Sequence, residues 1–208
     1  MATKTWISNV ASTWNTAASW AGGVPVAGDD VVFTGTNNGQ CTITVATATI
    51  LSLVTTGYAG NLIVNTRLTV GGNMILSASN NISGTSDITI STNSTIISAG
   101  ATIGCILRFG TINTTIQLAD AMILTAGLTA FGTPAGSIAL RSSVPGTQRS
   151  LTLVNNGTSY QYIDYLNVTD LDSSAACTIW TYKGTITNCN NWFLMPSQPP
   201  TISGISFG

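Results

Sequence analysis

Three aspartates near the C-terminus are the residues best suited to acid–base chemistry: Asp164, Asp170 and Asp172. If they converged with Arg141 or Arg149, they would supply the two carboxylates that glycoside cleavage needs. Aspartate is also frequent in turns, where its side chain accepts hydrogen bonds from nearby backbone amides, and this second interpretation is favoured. The sequence has no histidine, which excludes Ser-His and Cys-His nucleophiles and histidine-bound metals. We therefore predict that the protein is not an enzyme and that it has no cofactor or metal site.

Aromatic side chains in the same region indicate a different chemistry, the binding of sugars. Tyr160, Tyr162 and Tyr165 lie close together, and Trp180 and Tyr182 follow after the next turn signal. Tyr160 and Tyr162 alternate, so on a strand they would lie on one face and could stack on sugar rings. A packed core or an interface would use the same residue types, and these alternatives stay open.

Short apolar runs that alternate with polar residues supply the elements that must position these side chains. Most runs have about four or five residues, and Gly, Asn, Ser or Asp usually separates them, a pattern typical of strands and turns. The runs lie at 30–33, 41–50, 61–64, 67–70, 73–76, 87–90, 94–97, 105–109, 114–118, 121–125, 137–140, 150–154, 165–169 and 177–180. Helical periodicity is absent, so the sequence predicts an all-β chain.

The composition distinguishes between all-β architectures. Of the 208 residues, 6% are charged and 44% are hydrophobic, whereas ordinary soluble domains have about 25% charged residues. In a parallel β-solenoid, each turn of the chain, or coil, pairs with the next coil. Like residues then stack on each other, and stacked like charges are unfavourable. Low charge therefore favours a three-sided solenoid with variable loops over a sandwich or barrel.

The stretch TWNTAASWAGGVPVAGDDVVF, at 13–33, is suited to closing one end of such a solenoid. Terminal coils expose unpaired backbone and apolar core, so they need a cap. Trp6, Trp14 and Trp20 supply large apolar cover, and Pro25 prevents extension of a strand. We predict a tryptophan-rich N-terminal cap at 1–28.

Both ends of the chain resemble a known family. The N-terminal series is similar to the first coil of bacterial and phage right-handed parallel β-helix proteins, including passenger-type adhesins; it comprises Trp14, Trp20, Gly23, Pro25, Asp30, Val31 and Phe33. The segment YLNVTDLDSSAACTIWTYKGTITNCNNWF, from Tyr165 to Phe193, resembles a closing coil of such modules through Trp180, Asn190, Asn191, Trp192 and Phe193. The resemblance implies a right-handed parallel β-helix, which we assign to 29–193.

An extended C-terminal arm is predicted at 194–208. Pro196, Pro199 and Pro200 prevent a regular ladder, and the arm ends in the apolar residues Ile202, Ile205 and Phe207. Such an arm would pack on a neighbouring subunit, and a disordered tail is the alternative. The residues predicted to act as cap or contact are Trp6, Trp14, Trp20, Trp192, Pro199, Pro200, Ile202, Ile205 and Phe207.

Several classes of partner and location are disfavoured. The six Lys and Arg residues are scattered, which argues against nucleic-acid binding, and apolar runs are too short for a membrane-spanning helix. The N-terminus lacks the apolar region of a secretory signal, so synthesis and retention in a cytoplasm are expected.

The four cysteines are widely spaced, and Cys177 with Cys189 is the one pair that could form a disulfide in an oxidising medium.

These observations together predict a structural virion protein. We expect a phage capsid decoration or cement protein, made in the host cytoplasm, that forms a homotrimer and stabilises adjacent copies of the major capsid protein. The alternative is a tail-fibre or surface adhesin module that binds host glycans at a cell surface.

Overall fold

The computed structural model describes residues 1–77, 81–154, 160–175 and 178–195. In the first half of the chain the strands are β1 (Thr3–Trp6), β2 (Ser12–Thr13), β3 (Trp20–Ala21), β4 (Asp30–Val32), β5 (Cys41–Ile43), β6 (Ser52–Val54), β7 (Asn61–Val64), β8 (Leu68–Val70), β9 (Met74–Ile75), β10 (Asn81–Ile90), β11 (Ser94–Ile97) and β12 (Thr102–Phe109). The second half has β13 (Thr115–Leu118), β14 (Met122–Leu124), β15 (Gly127–Phe131), β16 (Ile138–Ser142), β17 (Arg149–Leu153), β18 (Tyr160–Asp164), β19 (Leu166–Thr169), β20 (Leu171–Asp172), β21 (Ile179–Tyr182), β22 (Thr185–Thr187) and β23 (Trp192–Met195). Apart from one 3-10 turn at Ala17–Ser19, the described ranges contain no helix.

The strands stack in three rows of parallel neighbours. The first row is a ten-stranded sheet in the order β22-β19-β16-β13-β11-β9-β6-β4-β1-β3. The second row runs β2-β5-β7-β10-β12-β14-β17-β20, and the third runs β8-β10-β12-β15-β18-β21-β23. The long strands β10 and β12 belong to both of these rows. Among pairings of the described strands, only β1 with β3 is antiparallel.

Alternation along each strand decides which side chains form the core. Successive strand residues point to opposite faces, and in parallel register the buried ones stack on each other. In the second row one buried ladder runs through six apolar residues: Cys41, Leu62, Ile82, Ile103, Leu124 and Leu153. In the first row another contains Val31, Leu53, Met74, Ile96 and Leu118. In the third row a buried ladder contains Leu68, Ile88, Leu107 and Leu128. The core therefore lies on one face of each row, which we call its inner face; the opposite face is the outer face.

The predictions of an all-β chain and of parallel pairing are confirmed, while the bounds and number of the strands differ in several places. Only Cys41–Ile43 of the run at 41–50 is a strand, and Val45 is exposed. The strand Gly127–Phe131 was not indicated, because its first four residues are all buried and show no alternation. The handedness and closure of a solenoid stay predictions.

The segments predicted as cap and β-helix share one sheet. Strand β1, inside 1–28, pairs with β4, with Thr3 opposite Asp30 and Thr5 opposite Val32. Strand β23 continues to Met195. The rest of the predicted arm, from 196 to 208, lies outside the described residues.

Candidate ligand-binding cleft

Asp170 and Asp172, two of the three aspartates considered for catalysis, serve local structure. Asp170 accepts hydrogen bonds from the Asn188 side-chain amide and from the Gly146 N–H at 2.8 Å. Asp172 accepts one from the Ser174 N–H at 2.9 Å. Since these donors stabilise the charged form, they lower the pKa of both carboxyl groups. The favoured interpretation, aspartate as a turn acceptor, fits both residues.

The two arginines considered with them lie on different rows. Arg141 is exposed on β16 in the first row, whereas Arg149 is on β17 in the second. The Arg149 Nε atom is buried without a hydrogen-bond partner. Asp164 lies on β18 in the third row. Arg149 is next to Asp170 and Asp172, because β17 pairs with β20 and the Arg149 N–H donates to the Asp170 carbonyl oxygen at 3.0 Å. Asp164 is on a different row, so the three aspartates do not converge on one site.

Asp164 differs from the aspartates that have hydrogen-bond partners. Asp29, Asp30, Asp87, Asp170 and Asp172 each accept at least one hydrogen bond from a side chain or a backbone N–H. The Oδ1 atom of Asp164 is buried and has no hydrogen-bond partner. Burial removes water from this carboxyl group and raises its pKa, an effect that the nearby charge of Lys183 opposes.

An open cleft lies beside Asp164 on the outer face of the third row. Seven residues of β18, β21 and β23 line it: Gln161, Tyr162, Ile163, Asp164, Trp180, Tyr182 and Met195. Its volume is about 150 Å³, less than the roughly 300–1,000 Å³ of typical small-molecule pockets, so it offers a shallow surface with room for a small ligand group.

Parallel register builds this cleft. Asp164 pairs with Tyr182, and Tyr182 pairs with Met195, so the three side chains lie side by side across three strands. Trp180 pairs with Phe193 in the same way, and their ring centroids are 5.3 Å apart. Residues that are far apart in sequence are thereby held side by side on a sheet.

The aromatic rings around the cleft are fixed by neighbours yet partly open to water. Phe131 stacks on Tyr162 with ring centroids 5.3 Å apart, and the Arg108 guanidinium lies 4.4 Å from the centre of the Phe131 ring. Trp180 is 40% exposed and Phe193 48% exposed. The arrangement offers apolar ring faces next to a carboxylate, a combination that suits a ligand with both apolar faces and hydroxyl groups.

The sequence identified part of this cleft. Tyr162, Trp180 and Tyr182 line it, whereas Tyr165 lies at the corner after β18 with a positive φ of 49°. The side chain of Tyr160 lies outside the described part of the structure. Sequence reasoning missed the contributions of Phe131, Phe193 and Met195, because only the pairing of strands brings them to this face.

The tryptophans predicted to form a cap lie where the first and second rows begin. Trp6, Trp14 and Trp20 are all buried, and the rings of Trp6 and Trp14 each lie 5.0 Å from the ring of Trp20 at steep angles. Phe33 and Tyr58 extend this cluster toward the next strands. Because these rings are buried, they can cover the core at this end, but they present little surface to a partner.

The remaining predicted contact residues come from the C-terminal part of the sequence. Trp192 is buried on β23, and its indole Nε1 has no hydrogen-bond partner. Pro199, Pro200, Ile202, Ile205 and Phe207 lie outside the described residues. So does Cys177, while Cys189 is a free cysteine that donates to the Thr187 carbonyl oxygen.

A second groove, on the outer face of the first row, is polar. Asn73, Asn93, Ser94, Thr95, Thr115, Gln117 and Arg141 line it. The Asn73 side chain accepts a hydrogen bond from the Thr95 N–H at 2.9 Å, and Asn93 accepts one from the Thr115 N–H at 2.7 Å. These asparagines stabilise the stacking of neighbouring turns, so part of the polarity of the groove has a structural role.

Comparison with family models, with curated proteins and with solved structures finds no match to this chain. Within the ranges that the structure describes, acidic and cysteine side chains form no group of three that could hold a metal ion. The same ranges hold no helix of the length and apolarity needed to cross a membrane.

Proposed function

We propose that this protein is a structural virion component, a phage capsid decoration or cement protein built as a right-handed parallel β-helix. The observation that carries the proposal is parallel strand pairing that continues from Thr3 to Met195. Pairing of this kind satisfies backbone hydrogen-bonding groups along the whole stack and makes a stiff rod. A rigid rod with a neutral surface suits a protein whose role is mechanical.

The order in which the chain visits the rows supports a helical coil. From β13 onward it passes through the first, second and third rows in turn, as β13-β14-β15, β16-β17-β18 and β19-β20-β21. Connections between parallel strands of one sheet are right-handed in about 98% of cases. Together these two facts favour the right-handed, three-sided β-helix that the sequence resemblance implies.

An aliphatic stripe on the outer face of the first row supports assembly into a trimer. Val32, Val54, Ile75 and Ile97 stand in register on four neighbouring strands, and each is at least partly exposed. Contiguous apolar surface on a soluble protein commonly marks an interface. We propose that this stripe packs against neighbouring copies and that the assembled trimer binds the major capsid protein in the virion.

Light scattering on the purified protein tests the trimer. We expect the mass of three chains for the parent protein and dissociation for Ile97→Arg, because an arginine would place an unpaired charge in the apolar contact. Ile112→Arg is the matched control, since both isoleucines are 37% exposed and Ile112 lies in a turn outside the stripe. A monomeric parent protein at micromolar concentration would contradict the trimer.

Capsid binding tests the virion assignment. Particles of the phage that encodes this chain, stripped of the protein, should rebind it at regular sites visible by electron microscopy. Deletion of 196–208 should lower the occupancy if the predicted arm contributes to attachment. The identity of neighbouring genes is a further check: genes for a major capsid protein, portal and protease support the proposal, and a gene for an outer-membrane translocator opposes it.

A second candidate function is a tail-fibre or surface adhesin module that binds host glycans. The cleft formed by Tyr162, Asp164, Trp180 and Tyr182 favours it, because partly exposed aromatic rings beside a polar group suit carbohydrate ligands. A glycan array separates the two functions, since a protein that serves only as cement should bind capsids and no sugars.

A further inference from the structure

We propose that the cleft between β18, β21 and β23 binds a neutral pyranose ring of a glycan. Trp180 and Tyr182 would supply ring surfaces for stacking, and Asp164 would accept hydrogen bonds from sugar hydroxyl groups. The inference rests on the adhesin function proposed above, and it adds the role of each residue in the cleft and the chemical class of ligand.

The apolar part of the site is already in place without a ligand. The Trp180 ring rests against Phe193 and the Tyr162 ring against Phe131, both with centroids 5.3 Å apart. These contacts fix the rings on the sheet while Trp180 remains 40% exposed. A ligand that covers them removes apolar surface from water and loses little side-chain entropy in the protein, because the rings are held before binding.

Asp164 supplies a polar group at the cleft. Its Oδ1 atom is buried and has no hydrogen-bond partner, which is unfavourable for a carboxyl group. The residue also lines the cleft, next to Tyr182 on the adjoining strand. The Oδ1 atom itself is closed to solvent, so a ligand hydroxyl group would donate to the part of this carboxylate that lines the cleft.

The charges around the cleft favour a neutral sugar over an acidic one. Asp164 is the charged residue among those that line the cleft. The nearby cations do not line the cleft: Lys183 Nζ lies 4.8 Å from the centre of the Tyr182 ring, and the Arg108 guanidinium lies over Phe131. A uronic acid would therefore place its carboxylate near Asp164, and like charges repel.

The site lies apart from the surface proposed for assembly. The cleft is on the outer face of the third row near its C-terminal end, whereas the aliphatic stripe of Val32, Val54, Ile75 and Ile97 is on the first row. Substitutions in one surface should thus leave the other intact, and the two functions can be measured separately.

Titration calorimetry on the full chain with defined oligosaccharides tests the proposal. The neutral probes are cellohexaose, chitohexaose and mannohexaose, and oligogalacturonate is the acidic comparator. We expect binding of at least one neutral probe and weaker binding of oligogalacturonate. Trp180→Ala and Asp164→Leu should each raise the Kd for that probe about tenfold, while Trp180→Phe should retain most of the affinity. Ile112→Ala, outside the cleft, is the control and should leave the Kd unchanged.

The possible results distinguish failure of the proposed site from failure of the adhesin function. Binding that is equal in the parent protein, Trp180→Ala and Asp164→Leu would overturn the site and leave the adhesin function standing. No binding of any probe by the parent protein would overturn the site, and an empty glycan array would reject the adhesin function with it. Preference for oligogalacturonate would overturn the neutral class of ligand. Circular dichroism and urea unfolding of every variant exclude misfolding as the cause of lost binding.

Discussion

The indole N–H of Trp6 donates a hydrogen bond of 3.0 Å to the carbonyl oxygen of Gly39, which lies 33 residues further along the chain. The same oxygen accepts a hydrogen bond of 2.7 Å from the Tyr58 hydroxyl group. One buried backbone oxygen therefore binds two members of the aromatic cluster. Directional hydrogen bonds as well as apolar packing hold the beginning of the chain on the strands that follow.

Replacement of Trp6 should show how much this cluster stabilises the protein. Trp6→Ala should lower the free energy of unfolding by about 3–5 kcal/mol, because it leaves a cavity. Trp6→Phe keeps a ring but removes one donor to Gly39, and should cost about 1–2 kcal/mol. Urea unfolding measures both. Trp180→Ala, at a position that is 40% exposed, should cost less, about 0.5–1.5 kcal/mol, because it removes one ring contact with Phe193; an equal loss at both tryptophans would contradict a special role for the cluster.

Gly39 should not tolerate a side chain. A Cβ atom there would lie 2.3 Å from the Val10 carbonyl oxygen and 2.6 Å from the Val10 nitrogen, so the backbone would have to move. We expect Gly39→Ala to lower the unfolding free energy by about 1–3 kcal/mol. Gly110→Ala is the matched control, because its nearest contacts are side-chain atoms at 3.6 Å. Equal melting temperatures for the two variants would show that the chain relaxes easily around Gly39.

The hydrogen bonds to Asp170 should make stability depend on pH. The Asn188 amide and the Gly146 N–H lower the pKa of this carboxyl group below its unfolded value. The resulting stabilisation is present above the unfolded pKa and is lost as the pH falls through the folded pKa. Asp170→Asn should therefore unfold at a lower temperature than the parent protein at neutral pH.

In strong acid this difference between Asp170→Asn and the parent protein should shrink, since the parent carboxyl group is then protonated. Asn188→Ala removes the strongest of the donors and should reproduce part of the effect at neutral pH. A difference that stays constant from neutral pH to strong acid would mean that the charge of Asp170 does not contribute.

The core cysteines should be unreactive. Burial raises the pKa of Cys105 to about 12 and raises that of Cys41 further, so neither forms a thiolate at neutral pH. Iodoacetamide should leave both unmodified in the native protein and label both after denaturation in guanidinium, as peptide mass spectrometry can measure. Rapid labelling of Cys41 in the native protein would indicate that the second row opens.

Local pattern was enough to find the class of fold. The strands Asn61–Val64 and Ser94–Ile97 coincide with apolar runs in the sequence, because one buried and one exposed face produce an alternation that a single segment displays. The strand Thr185–Thr187 was not found, since two of its three residues are threonines and its place in the first row comes from pairing with β19. The alternation of apolar and polar residues also fails to predict the strand Gly127–Phe131, because neighbouring residues cover both of its faces.

For the candidate site, the sequence by itself determined the aromatic residues and little more. Tyr162, Trp180 and Tyr182 were visible as a group because they are close in sequence, and Asp164 was visible only as one acid among several. The tertiary structure decided that Asp164, Tyr182 and Met195 are neighbours across three strands. It also decided that the Asp170 carboxylate accepts a hydrogen bond from the Gly146 N–H. The physical reason is register: which residues become neighbours across parallel strands depends on the lengths of the intervening loops and on the packing of the whole stack, and no short segment of sequence contains either.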